Sequence, residues 1–257
     1  MTNTFLRVLY TEWIKTKSTV ALKVAYLSPL FVVLLYTALI VADNDKMAEH
    51  NVDIWSWQIG AVWRFWSGLP LTFIIGVLTG LVNNIENATG GWKNIYTLPI
   101  ERYIFDLAKL TISMFLILLN LVLTSVYTLV SVYVLSLFFP DLNISNIERV
   151  NILYWIPLSV FLGSLGIIAI HHLLSRVIPN LFVTLSISCF LTLSTLMALY
   201  AAENLSQFYP WCWPLLSSFT LKENGVFNLN VVLYSCLVFM ISLSVLIFYV
   251  KKVRIVK

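Results

Sequence analysis

Six stretches of the chain stay apolar long enough to cross a bilayer, and short polar breaks separate them. They cover approximately Val24–Ala42, Phe65–Val82, Leu110–Phe139, Ile152–Ser175, Val177–Ala202 and Asn228–Val250. Each reaches the roughly 17–25 residues that the hydrocarbon core demands of a helix. Only the fourth contains groups that charge near neutral pH, the adjacent His171 and His172. Ahead of the first span, residues 4–18 repeat at helical period. Phe5, Leu6, Leu9, Tyr10 and Trp13 share one face, and Arg7, Thr11, Glu12 and Lys15 the other. That pattern predicts an amphipathic helix lying in the membrane interface, within residues 1–22.

The polar break at residues 85–99 is the most structured of the interruptions. Gly90 and Gly91 let the backbone turn where a Cβ would clash. Trp92 and Lys93 follow, and Pro99 pushes Leu98 out of helical geometry while presetting the next helix start. Helix, tight break, short docking element, helix is the expectation. The break before the second span, residues 43–61, reads as an acidic loop with Asp43, Asp45, Glu49 and Asp53. It runs into Trp55, Trp57, Trp63 and Trp66, which suit an interfacial belt or a surface for a bulky cationic ligand. The last such break, residues 203–228, holds Trp211 and Trp213 and is too apolar to stand in water, so it is expected to dip back into the outer leaflet or to pack under neighbouring helices.

Mean hydropathy of +0.88 and 11% charged residues exclude an ordinary soluble domain, leaving an all-α polytopic membrane protein with one domain over residues 1–257. Lys and Arg divide 12 to 4 between the two sides when the N-terminus is placed in the cytoplasm. This asymmetry orients the chain with both termini inside and makes the net charge of +4 an orientation signal, with an affinity for anionic lipid and none implied for nucleic acid. Cys189, Cys212 and Cys236 have no metal-ligand spacing, so no metal site is expected.

The chain has no G-x-x-x-x-G-K-[ST], no H-E-x-x-H and no G-x-S-x-G. With almost no ionisable group inside the spans, coupling to a proton or sodium gradient has nothing to act on, and driving energy must come from elsewhere. His171 and His172 read as a polar helix end at the interface; a membrane enzyme built on them is the rival reading.

The arrangement resembles a known family. It combines Glu12-Trp13-Ile14-Lys15-Thr16-Lys17 in a basic first helix with Glu86, Gly91-Trp92-Lys93 and Leu98-Pro99 between spans two and three. With six spans and a long apolar loop before the last, this looks like the ABC-2 type exporter permeases, and among them the lantibiotic-immunity permeases. The resemblance implies a permease with no catalytic residues or cofactor of its own, ATP and Mg belonging to a separate ATPase present in two copies. It implies a second permease, or another copy of this one, as partner, and a bacterial cell membrane as location. It implies a coupling element built from Glu86, Gly90, Gly91, Trp92, Lys93, Leu98 and Pro99. It implies a cationic lantibiotic peptide as cargo, expelled for self-protection, with Trp55, Trp57, Trp63, Trp66, Trp211 and Trp213 as possible substrate-facing rings. A lipid, a drug or another peptide is the alternative cargo.

Overall fold

A computed structural model describes residues 2–50, 52–95, 97–140, 151–201, 206–224 and 227–252. Every regular element among them is helical. The helices are α1 (Thr2–Lys17), α2 (Val20–Ala42), α3 (Asn44–Glu49), α4 (Ile54–Gly68), α5 (Pro70–Thr89), α6 (Trp92–Ile95) and α7 (Arg102–Phe138). After them come α8 (Asn151–Val177), α9 (Leu181–Ala201), α10 (Trp213–Asn224) and α11 (Leu229–Lys252). Six are long and apolar enough to span a membrane, namely α2, α5, α7, α8, α9 and α11. Helix α8 is the hub and packs on α5, α7, α9, α10 and α11. Helix α1 lies along the start of α7, and the Lys251 ammonium sits 5.7 Å from the Tyr103 ring. Both ends of the described chain are therefore at one end of the bundle, called here the terminal end.

The second expected span, Phe65–Val82, contains a break. Leu69 adopts φ −123° and ψ −53°, and Pro70, which has no N–H to donate, starts a new helix. The stretch expected as an acidic loop, residues 43–61, is instead mostly helical, forming α3 and the first half of α4. Asp53 starts α4 because its carboxylate accepts from the Ser56 N–H at 3.4 Å. The boundary between spans four and five is marked by Pro179, followed by Asn180, whose side-chain oxygen accepts from the backbone N–H groups of Phe182 and Val183. Helix α7 runs 37 residues, about 55 Å, well beyond a hydrocarbon core of about 30 Å.

The face of α1 also differs from the wheel. Val8, Glu12 and Thr16 are buried, whereas Leu6 and Tyr10 are exposed. The Glu12 carboxylate turns toward the bundle, beside partly buried Leu9 and Trp13, because the Lys109 ammonium waits for it there, as described below.

Helix α5 buries a polar line with a seven-residue repeat. Thr72, Thr79 and Glu86 form one half, and Gly76 and Asn83 the other, all facing inward. Thr72 hydrogen-bonds Thr192 of α9, and Asn83 donates to Ser175 of α8 at 2.7 Å. At Gly76 an added Cβ would come within 2.0 Å of Ser188 Oγ, so only glycine allows α9 this close. The small-residue pair Gly76 and Gly80 is thus used inside the chain, against α9.

Residues 206–224 pack into the bundle. Trp211, Cys212, Trp213, Leu215 and Leu221 are buried, and α10 contacts α8 and α4. Ser218 of α10 hydrogen-bonds Ser67 at 2.8 Å. The packing has a chemical readout in the three free cysteines. A maleimide at neutral pH is expected to leave buried Cys212 unmodified in the folded, detergent-solubilised chain and to modify it once denaturant is added. Modification of Cys212 at the same rate with and without denaturant, measured by peptide mass spectrometry, would show that this segment does not stay packed.

Candidate functional site

At the terminal end, beneath the polar break, four charged side chains from three helices meet in a nearly dry setting. Lys109 of α7 is fully buried, and its ammonium donates to Glu12 Oε2 of α1 at 2.6 Å. It also lies 3.5 Å from Glu86 Oε1 of α5 and 3.4 Å from the Val82 carbonyl. Lys15 closes the ring, donating to Glu12 Oε1 at 2.7 Å and to Glu86 Oε1 at 2.8 Å. Two carboxylates thus balance two ammonium groups. Moving an ion from water to a low-dielectric interior costs several kcal/mol, and only close, hydrogen-bonded partners offset it. Burial pulls the Lys15 ammonium down from its ordinary value of 10.5, but the hydrogen bonds to Glu12 and Glu86 outweigh burial and leave it raised. The stability this adds is complete below 10.5 and disappears only as pH climbs through the still higher folded value.

A second buried pair stands beside the first. Arg176 of α8 donates from Nε to Asp106 Oδ1 of α7 at 2.7 Å. The face of the Trp92 ring covers Arg176, with its guanidinium carbon 3.7 Å from the ring centroid. The Lys109 ammonium lies 5.7 Å from the same ring. Trp92 is pinned from the other side by its indole N–H, which donates to Asn87 Oδ1 at 2.7 Å. Short α6 therefore hangs from the bundle by one aromatic ring against two cations.

The backbone reaches this position through Gly90, which ends α5 in the left-handed region at φ 64°. The Gly91 N–H bonds back to the Glu86 carbonyl at 3.0 Å. Ile95 of α6 is buried against α1 and α7 in a small cluster with Val8, Phe105 and Ala108. Beyond this inward side, Lys93, Asn94, Thr97, Leu98 and Pro99 are exposed. The break thus has an inward face made by Trp92 and Ile95, and a free face made by Lys93, Asn94, Thr97, Leu98 and Pro99.

The structure brings Glu86 and Trp92 to one site and hangs Gly90, Gly91, Lys93, Leu98 and Pro99 around it. Glu12, Lys15, Asp106, Lys109 and Arg176 complete it, although sequence reasoning treated them as surface charges and span ends. The spacing of Asp106 and Lys109 on one helix gave a hint. Their partners, however, lie 97 residues away at Glu12 and 70 away at Arg176, beyond any local pattern.

His171 and His172 are buried, not at a wet helix end. Trp211 Nε1 donates to His171 Nε2 at 3.2 Å, and Asn83 Nδ2 lies 3.2 Å from His172 Nδ1. The imidazoles are locked between α5, α8 and the 206–224 segment. Among the described residues no group of three or more His, Cys, Asp and Glu side chains is placed to hold a metal. The tryptophans are likewise inside. Trp55, Trp63, Trp66, Trp211 and Trp213 are buried, and Trp57 is half-buried, packing edge-on against Tyr36. The indole N–H groups of Trp55, Trp63 and Trp66 find no acceptor.

Cutting one member from the ring leaves an uncompensated buried charge. Lys109→Met is expected to destabilise the chain by about 3–5 kcal/mol. In the double variant Glu12→Gln with Lys109→Met much of that loss should return, because Lys15 then balances Glu86 alone. Thermal unfolding of the purified variants in one detergent compares them, and a double variant no more stable than Lys109→Met would break the argument.

The charged residues of the site and Trp92 fall inside the stretch that comparison with known proteins singles out. A family model described as ABC-2 family transporter protein matches residues 8–195, from α1 into the last turns of α9. No curated protein and no solved structure matches the chain. With the match spanning most of its length and six of its helices long enough to cross a bilayer, the chain belongs to the ABC-2 transporter family and is a multi-pass transmembrane transporter subunit, not itself a catalyst.

Proposed function

We propose that the chain is the permease of a bacterial ABC exporter, set in the cell membrane with both termini in the cytoplasm and energised by a separate ATPase. The positive-inside asymmetry supports the orientation. Two ATPase copies and a second permease, this chain or one like it, complete the machine. The observation that carries the reading is the Trp92 ring held 3.7 Å over Arg176. It joins exposed Lys93, Asn94, Thr97, Leu98 and Pro99 to a buried pair in the span helices. In this reading Lys93, Leu98 and Pro99 meet the ATPase, and Trp92 passes its displacement to α7 and α8. Glu86 and Gly90–Gly91 keep the loop in register with α1 and α5. A desolvated cation–π contact is worth about 2 kcal/mol, enough to keep α6 and the span helices moving together.

The cargo we infer is a cationic, amphipathic peptide of the lantibiotic class, expelled from the membrane so that a producing cell survives its own product. Asp43, Asp45 and Glu49 support this, since all three carboxylates are exposed at the end of the bundle opposite the termini. Their field would concentrate a cation over about 8–10 Å at physiological salt. The unpaired N–H groups of Trp55, Trp63 and Trp66 also fit. Buried donors without acceptors are rare, and a state in which α4 parts from α10 would offer them to peptide carbonyls.

Two measurements test the two levels separately. Trp92→Ala should lower substrate-stimulated ATP hydrolysis by the co-purified ATPase about tenfold at unchanged membrane level, and Trp92→Phe should keep more of it. Full hydrolysis in the alanine variant would remove Trp92 from coupling. Reversing the acidic rim with Asp45→Lys and Glu49→Lys should weaken protection against a cationic lanthionine peptide, most at low salt. Unchanged protection would point to a lipid or drug cargo instead.

A further inference from the structure

The break at Leu69–Pro70 has a second consequence, where α4 and α5 meet α2. It leaves a lateral groove of about 680 Å³ against α2, walled by Leu27, Phe31, Phe65, Pro70 and Phe73, with Lys23 also in its lining. We propose that this groove binds one anionic phospholipid, an acyl chain lying along Phe31 and Phe73 and the phosphate meeting Lys23.

Length fits first. From Val20 to Phe31 along α2 is about 17 Å, close to the roughly 15 Å depth of hydrocarbon in one leaflet. Polarity fits next. The walls are apolar, and Ser28, which also lines the groove, spends its hydroxyl on the Val24 carbonyl and the Asn120 amide. Phe31 is 69% exposed and Leu27 51%, so the surface is open to the membrane and no other part of the described residues fills it. Charge then selects the occupant. Lys23 is exposed, and no carboxylate of the described residues pairs with it, unlike the ammonium groups of Lys15 and Lys109. A groove with one free cation in the first turns of a span helix and hydrocarbon walls beyond it matches an anionic amphiphile lying in one leaflet. The same cation repels a positively charged peptide. Two copies of the chain meeting groove to groove about a twofold axis would bring two Lys23 side chains toward each other, which disfavours that occupant too.

Native mass spectrometry of the purified full chain, with phosphatidylglycerol or phosphatidylcholine added in equal amounts, tests this assignment. Wild type should hold one phosphatidylglycerol in preference to phosphatidylcholine. Lys23→Gln should cut that preference about fivefold, the contribution of one basic residue at a membrane surface, and Lys23→Arg should keep it. Leu27→Trp, which fills the groove, should lose retention of both lipids. Equal phosphatidylglycerol retention by wild type and Lys23→Gln, at matched thermal stability, would overturn the proposal. So would efficient cross-linking of two chains through Leu27→Cys in a background carrying Cys189→Ser and Cys236→Ser, since a second copy would then occupy the groove. Neither result depends on an ATPase or a cargo, so the outcome is independent of the transport reading.

Discussion

A fully buried ammonium sets the terms for the whole terminal end of this molecule. Lys109 has no water to turn to, so Glu12 and Glu86 must both come to it. Glu12 belongs to a helix that would otherwise lie loosely on the membrane, and Glu86 to the last turns of α5. One cation thereby ties α1, α5 and α7 to a common point. Lys15 restores neutrality, which a buried cluster of this kind needs. The pair Asp106 and Arg176 extends the arrangement to α8, and Trp92 lies across both cations. Such clusters add little net stability over a hydrophobic equivalent, but losing one member leaves a buried charge uncompensated.

The long axis of the bundle is governed by a different rule. Helix α5 presents Thr72, Gly76, Thr79, Asn83 and Glu86 to its neighbours, where a soluble bundle would present leucines. In lipid there is no hydrophobic gain in joining two apolar helices, so close approach and hydrogen bonds decide which helices pair. The hydroxyl and amide contacts to Thr192, Ser175 and His172 are of that kind. They continue downward into the ion ring through Glu86. The seam and the ring together connect the loop at residues 85–99 with the middle of the bundle.

Much of the fold was legible in the sequence, because a bilayer imposes a length and a polarity on each crossing. The helix break around Gly90 was equally readable, since glycine acts through its own backbone, whereas the expected fifth span, Val177–Ala202, ran through Pro179 and the helix starts only at Leu181. The tryptophans were harder. Their apolar rings and polar N–H groups suit an interface as well as a core, and only the packing of α4 and α10 placed five of the six inside. The orientation of α1 misled for a related reason. A helical wheel sorts residues by hydrophobicity, and Glu12 is buried by pairing with residues far away in the chain. His171 and His172 followed suit, held by Trp211 and Asn83 rather than by the membrane edge.

The order in which the ring's members leave the ribosome bears on how it can be assembled. Glu12 and Lys15 are made first, in the same helix and already within 2.7 Å of each other once it forms. Glu86 follows at the end of α5, and Lys109 comes last, near the start of α7. Chains are synthesised from the N-terminus, so both carboxylates stand ready at the membrane boundary before the lysine that must be buried is made. Lys15 offsets half of their charge in the interval. The most costly residue to bring out of water thus arrives to a finished receptor, and the helix that carries it is guided into place by a destination built earlier.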